Sequence, residues 1–409
     1  MKILVTGLLA SAIALSTAHA DCGFDTGRIS IIGVDFPAIH TVAGGAMACS
    51  GENIDVKANL TLEHTKLNAA GMSGYPAEYT SAIVSNSSIM GLMNKSLLRP
   101  LDELIAKHGQ DIPKNQLITF DGKVMAVAFL ANAQHLTYRK DVLQQLGLEP
   151  PTSYEDMLVA AEAIRKAGLS QFPLGGAFKA GWHLAQEFIN MYLGYGGELY
   201  RPGSAEPTVN NAQGVAALNM LKSLSAYMNP DFLSHDHNDT TAEMQAGNVM
   251  LMNMWGSRLG RLQDGEGTSP EIANNIEVGG PLMVGDSGKP ATTLWWAGWT
   301  VAQNISDEDA EATFLAMKNG TSPSILTDKT MRQAAWTIEG FQPSPFNYGV
   351  FASVAAGAQP YPMLPYQALM HAALSREIAD FLLGQEDAAA TLADIEAAYT
   401  ASAKEKGFL

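Results

Sequence analysis

Short unbroken apolar runs alternate along this chain with longer stretches of amphipathic pattern. Residues 28–34 (RISIIGV) predict a buried strand. Asp35 followed by Pro37 then predicts a helix start, with Asp35 as N-cap and Pro37 in the first turn. Residues 54–59 alternate as a second strand, and a helical stretch begins near Leu62. Residues 78–84 predict a third strand, which runs into Ser85-Asn86-Ser87-Ser88. A helix follows to about His108, with a break near Arg99-Pro100. Strands alternating with helices at this spacing predict a parallel α/β sheet.

Asp121-Gly122 predicts a hairpin turn between Leu117-Ile118 and the apolar run 124–127. Ser153 predicts the cap of a helix over 154–167, with Asp156 at the capping-box position. Further helices are predicted over 186–193 and 211–227, and buried strands over 249–254 and 299–303. From Pro365 the pattern is helical, with Gly384 separating two helices. There is no internal repeat, low-complexity tract or Gly/Ser linker. A chain with two domains would therefore cross between them at strand ends.

The N-terminus breaks this rhythm. Lys2 precedes a nearly continuous apolar run from Ile3 to Leu15, and Ala18-His19-Ala20 is an A-x-A cleavage site. Residues 1–20 are read as a cleavable signal peptide. An uncleaved anchor is the competing reading, but the run is too short to span a bilayer with Asp21-Cys22-Gly23 following it. Asp21 before Cys22 does not suit lipoprotein processing, so a freely exported protein is expected. Cys22 and Cys49 are the two cysteines. In an oxidising compartment they are read as one disulfide, against two buried thiols or a reactive pair.

A hydrophobic content of 47% supports a sizeable core, and 409 residues allow two domains. The formal charge of −16 argues against nucleic acid and anionic membranes as partners. Catalytic motifs are missing: there is no G-x-S-x-G, Walker A, H-E-x-x-H or C-x-x-C. Asp25-Thr26-Gly27 matches the aspartic-protease tripeptide but lacks the second copy that chemistry needs, and is read as a turn. His235-Asp236-His237-Asn238-Asp239 is the densest set of metal-ligand types. It is read as a polar loop with an N-cap, because neighbouring residues rarely converge on one ion. No metal and no cofactor are expected.

What stands out is aromatic and amide chemistry near strand ends. All six tryptophans lie beyond position 180. Trp255 follows an apolar run, Trp295, Trp296 and Trp299 surround Gly298, and Trp182-His183 precedes a helix. Flat apolar faces with a polar rim stack on the C–H faces of sugar rings, while amides, imidazoles and carboxylates bind hydroxyls. Each tryptophan can equally be a core residue. For Trp255 and the Trp295/Trp296 pair, beside glycines at strand ends, the site reading is preferred.

Four segments in order carry a family resemblance: residues 88–104 (SIMGLMNKSLLRPLDEL), Phe120-Asp121-Gly122-Lys123 through 135–143 (HLTYRKDVL), 147–156 (GLEPPTSYED), and 244–250 (MQAGNVM) followed by Trp255. The chain resembles the extracellular solute-binding proteins of ABC importers, in the group that includes maltose-binding protein. Arg139 and Ala128 depart from that pattern, and residues 295–299 are more aromatic than is usual, so a site of its own type is expected.

The resemblance implies a type II periplasmic binding protein fold with two α/β lobes, each a mostly parallel sheet flanked by helices, joined by crossing strands. It implies an N-terminal lobe of 21–131 plus 297–345 and a C-terminal lobe of 132–296 plus 346–409. The solute would bind in the cleft, and a membrane permease would be the protein partner of a monomeric periplasmic receptor. The implied ligand-binding positions are Phe36, His40, Glu63, His64, Asn86, Ser87, Trp182, His183, Trp255, Trp295, Trp296, Gly298, Arg332 and Tyr366. Carbohydrate or polyol capture, without catalysis, is the leading expectation. A secreted carbohydrate-active enzyme would need a carboxylate pair, and Glu63, Glu187 and Asp35 have no spacing that nominates one. A phosphorylated polyol or other anion would need cations in the cleft, where only Arg332 and Lys179 are nominated.

Overall fold

The computed structural model describes residues 22–262 and 267–409. The expected signal peptide lies outside the described residues. The strands, in chain order, are β1 (Ile29–Gly33), β2 (Val56–Leu60), β3 (Ser81–Ser85), β4 (Leu117–Phe120), β5 (Lys123–Asn132), β6 (Gln134–Arg139), β7 (Leu174–Gly175), β8 (Leu251–Trp255), β9 (Ile276–Val278), β10 (Thr293–Trp299), β11 (Ala335–Trp336) and β12 (Gln359–Pro360). They form two sheets. The first runs β11-β5-β10-β3-β1-β2, with β4 also on β5 and β12 also on β10. The second runs β7-β8-β6-β9.

Each sheet has its own core. The first is built on Ile31, Ile32, Ile83, Phe129, Trp299 and Phe314 and draws in residues from Cys22 to Leu130 and from Trp296 to Phe341. The second centres on Leu136, Phe188, Tyr192, Leu251, Met254 and Leu374 and draws on residues from Leu136 to Trp295 and from Phe346 to Ala403. Strand β5 ends at Asn132, and β6 begins at Gln134 in the other sheet. Strand β10 passes back, with Trp295 in the second core and Trp296 against the first. Successive side chains of a strand point to opposite faces, which is how adjacent tryptophans serve different cores.

The expectation of mostly parallel sheets needs correction. Among the described residues, the named strands pair in parallel only at β1–β2, β1–β3, β7–β8 and β10–β12. Strand β10 lies antiparallel between β3 and β5, and β6 lies antiparallel between β8 and β9. The β1, β2 and β3 connections contain helices, as parallel pairing requires. The β4–β5 connection is two residues, and it forces an antiparallel pair. Asp121 and Gly122 both take positive φ, 48° and 77°, the geometry of a type I′ turn.

Two local expectations also change. Phe36, not Asp35, occupies the cap of the helix Pro37–Met47, which has no side-chain cap. The Asp35 carboxylate is 2.7 Å from His40 Nε2 instead. The strand expected over 299–303 ends at Trp299, so Trp295 and Trp296 lie inside β10. By contrast, Ser153 caps the helix Tyr154–Lys166 through the capping box with Asp156. Gly384, at φ 75°, separates Gln367–Leu382 from Ala388–Glu405.

Cys22 and Cys49 form a disulfide with a Cα–Cα distance of 5.7 Å and 27 residues of separation. It ties the chain before β1 to the end of the first helix. Loop-closure entropy predicts that the double serine variant loses about 3 kcal/mol. Urea unfolding of variant and parent would test this, and coincident midpoints would refute it.

Candidate functional site

The crossing of β10 brings together aromatic side chains from four parts of the chain. The Trp295 ring meets Trp255 edge-on, with centroids 5.5 Å apart and planes at 88°. It meets Trp182 at 5.7 Å and 69°, and tilts over Tyr361 at 4.3 Å. Trp182 stacks on His371 at 5.0 Å. Trp255 and Trp295 are each 8% exposed, whereas Trp182 is 40% exposed. The cluster is therefore a packed aromatic wall with Trp182 as its open face. Gly181 enters the helix Trp182–Gly194 at φ 100°, a conformation that favours glycine and sets Trp182 at the first helical position.

Hydrogen bonds hold this wall from behind. His371 Nε2 lies 2.9 Å from the Trp182 carbonyl oxygen, so it must donate. His371 Nδ1 is then the acceptor for the Tyr361 hydroxyl at 2.9 Å. Burial pushes His371 down to about 4, which keeps the neutral tautomer. The Trp295 indole N–H donates to Thr293 Oγ1 at 2.8 Å. Thr293 Oγ1 also accepts from Gln186 Nε2 and donates to Asn190 Oδ1 at 2.9 Å. That uses its one donor and both acceptor sites. Asn190 Nδ2 donates to Gln134 Oε1, and Gln134 Nε2 donates to Glu187 Oε1 at 2.5 Å.

Beside the wall lies a polar group. His183 Nε2 and His237 Nδ1 are 3.0 Å apart, and burial lowers the pKa of both rings. His237 Nε2 is buried without a partner. Arg258, in the 3₁₀ turn Gly256–Leu262 after β8, is 7% exposed. Its guanidinium carbon sits 4.8 Å above the Phe36 ring, which belongs to the other lobe. Burial, then Arg261, pushes Arg258 down to about 10, opposed by Asp236 and Asp35.

The implied ligand positions therefore divide. Trp182, His183, Trp255, Trp295 and Phe36 converge around the crossing. Trp296 is half-buried at the same crossing, with its indole N–H buried and unpartnered. Other positions have structural work. Asn86 is buried; its Oδ1 accepts from Trp296 N at 2.9 Å, and its Nδ2 reaches the Leu294 carbonyl at 3.4 Å. Gly298 marks a bulge in β10, where a Cβ would sit 2.7 Å from the Val127 carbonyl oxygen. Tyr366 packs on Tyr200 and Phe408 and donates to Ser204 O at 2.9 Å, apart from the tryptophan cluster. Glu63 is exposed and paired with Lys66, and Arg332 is exposed on a 3₁₀ turn. His40 is exposed against Asp35, and Ser87 bonds Ser85 Oγ at 3.1 Å. His64 is half-buried, with an unpartnered Nδ1 and a pKa lowered by burial.

Arg258, His237, Tyr361 and His371 were not nominated from sequence. Arg258 lies three residues after Trp255, and that adjacency was the one available signal. His237 stands in the run read as a capped polar loop. The cap is real, since Asp236 Oδ1 accepts from Asn238 N at 2.8 Å, but the loop also delivers an imidazole to the site. Among the described residues no group of three or more His, Cys, Asp or Glu could hold a metal ion.

Two α/β lobes with separate cores, joined by crossing strands, define the two-lobed periplasmic binding protein fold. Residues 64–324, well over half of the chain, match the bacterial extracellular solute-binding proteins, and the chain belongs to that family. It is 29% identical over 219 residues to a "probable ABC transporter-binding protein" of Deinococcus radiodurans, covering 52% of this chain and 50% of that one. The chain thus matches about half the length of this curated relative. A solute-binding protein from Agrobacterium radiobacter K84, solved with ribitol, superposes with a TM-score of 0.79 at 16% identity, covering 91% of this chain and 98% of that one. One from Agrobacterium vitis S4, with D-mannitol, gives 0.76 at 17% identity, covering 94% and 100%. Maltose-bound T. maritima MalE3 gives 0.75 at 16% identity, covering 92% and 99%. At these identities the structural likenesses establish the fold. Among the described residues no helix is long and apolar enough to cross a membrane.

Proposed function

We propose that this protein is the periplasmic substrate-binding component of an ABC importer, capturing a sugar, oligosaccharide or polyol between its lobes. The observation that carries this reading is the half-exposed Trp182 face on a rigid aromatic wall, next to unpartnered polar groups at the lobe crossing. An indole face supplies apolar contact to sugar C–H groups, and the surrounding donors meet hydroxyls. The ribitol, mannitol and maltose bound to its structural neighbours support the same ligand class.

In this reading residues 1–20 are removed on export and the mature chain works as a monomer. The lobes comprise 21–131 with 297–345, and 132–296 with 346–409; the membership of the two cores supports that division. Solute binding shifts the lobes toward a closed state, which docks on the permease. No catalysis is assigned, because Glu187, the one buried carboxylate among the described residues, is turned into an amide network rather than paired with a second carboxylate.

A thermal-shift and tryptophan-fluorescence screen with ribitol, D-mannitol, maltose and related solutes tests the reading. Stabilisation and a spectral change are expected with at least one, and turnover of any of them would overturn it. With that solute, Trp182→Ala should weaken binding at least about tenfold, the loss of one good aromatic contact. Its melting temperature should stay close to that of the parent, since the ring is substantially exposed. Unchanged affinity would remove Trp182 from the site.

A further inference from the structure

Arg258 is a buried cation without a counter-charge. The residue is 7% exposed, yet among the described residues its guanidinium has no hydrogen bond and no ion pair, only the Phe36 ring. The charged groups around it are already engaged. Asp35 is 2.7 Å from His40, and Asp236 pairs with Lys179 at 3.3 Å while accepting from two backbone N–H groups. Asp239 accepts from Asp236 N at 3.0 Å, and Arg261 donates to Asn238 Oδ1 at 3.1 Å. His183 and His237 occupy one another. Buried charges in folded proteins are paired or coordinated, because an unpaired ion loses its hydration without recompense. The Arg258 guanidinium therefore sits against Phe36 of the other lobe with its N–H groups bonded to none of the described residues, and His237 Nε2 is buried without a partner.

We propose that the captured solute carries an anionic group, a carboxylate or a phosphate on a hydroxyl-rich chain, and that Arg258 and His237 receive it. The inference rests on the capture reading above and narrows it from neutral sugars to sugar acids and polyol phosphates. The aromatic wall would take the C–H faces of the carbon chain. Arg258 would take the charge through a forked pair of N–H bonds, the geometry that suits both carboxylate and phosphate. His237 can donate from Nε2 in the tautomer where its Nδ1 accepts from His183. Phe36 holds the guanidinium from the opposite lobe, so the anion would be gripped where the lobes meet.

Titration calorimetry on the mature chain tests this with matched sets: sorbitol, gluconate and sorbitol 6-phosphate; ribitol, ribonate and ribitol 5-phosphate; and inorganic phosphate alone. At least one anionic member should bind roughly 30-fold or more tightly than its neutral parent, the range for a desolvated charge pair. Comparison of the acid with the phosphate identifies which anion the site takes. Arg258→Gln should reduce that preference to within about threefold, while Arg258→Lys keeps part of it. Circular dichroism and melting temperature confirm that both variants are folded. Neutral members binding as tightly as anionic ones, or discrimination surviving in Arg258→Gln, would overturn the inference and leave sugar or polyol capture standing. Inorganic phosphate binding as tightly as the polyol phosphates would also overturn it, because the carbon chain would then contribute nothing. If no neutral or anionic solute binds, the capture reading fails and this inference with it.

Discussion

Trp295→Ala is expected to cost both stability and binding. The ring is 8% exposed and touches Trp182, Trp255 and Tyr361, and its N–H fills the last acceptor site on Thr293. Truncating a large buried aromatic costs about 3–5 kcal/mol, the lost transfer energy plus a cavity that cannot collapse. Collapse is hindered here because Trp295 lies on β10, hydrogen-bonded to β5 on one side and to β12 and β3 on the other. Trp182 would also lose the partner that orients it, so affinity should fall beyond the tenfold expected for Trp182→Ala. Urea denaturation and titration of the same variant give both numbers. A midpoint equal to that of the parent would show that Trp295 does not brace the wall. Trp255 is equally buried, and its truncation should likewise lower stability as well as affinity.

Stability should pass through a maximum near pH 6.5 and fall toward pH 8. Burial raises Glu187 to about 8, opposed by the hydrogen bond from Gln134. A carboxyl whose folded pKa lies above its unfolded value of about 4.5 contributes full stability below pH 4.5. That contribution is lost as pH rises through the interval up to about 8, on the order of 5 kcal/mol in all. His135 and His371 act in the opposite sense on the acid side. Both are buried and pushed down to about 4, so each contributes stability above about 6.5 that is lost as pH falls toward 4. His64, His183 and His237, whose pKa values burial also lowers, add to the same rising slope, so the net gain runs up to pH 6.5 and Glu187 alone then governs the decline. Glu187→Gln keeps the carbonyl that accepts from Gln134 and removes the proton. Its stability, from urea midpoints at pH 6.5, 7.5 and 8.5, should stay level where the parent falls. A parallel decline in both proteins would mean that Glu187 is not the titrating group. Glu187 also lines a void of about 10 Å³ with Tyr154 and Asn253, room for about one water molecule.

Local signals were legible wherever the physics is local. The Asp121-Gly122 turn, the Ser153 capping box and the apolar runs of β1 and β8 appeared where short-range rules put them. The disulfide followed from two cysteines near one end of a chain expected to be exported. The Asp35 cap did not form. Its carboxylate pairs with His40, and the helix begins at Pro37 without it. Strand direction was less legible, because a parallel pattern of elements says nothing about where a returning strand inserts. The antiparallel position of β10 arises because it re-enters the first sheet from the other lobe.

The aromatic bias after position 180 and the family pattern could be read from sequence alone, since each is written in composition or in neighbouring residues. The roles of particular side chains could not. Asn86 and Gly298 look like cleft residues but serve the backbone at the crossing. Arg258 and His237 look ordinary in the chain, yet one packs on Phe36 of the other lobe and the other pairs with His183 beside the aromatic wall. The physical reason is that a binding site is a convergence of elements far apart in sequence. Whether a side chain faces solute, core or a neighbouring carbonyl depends on how two separate cores are joined, and only the packed structure decides that.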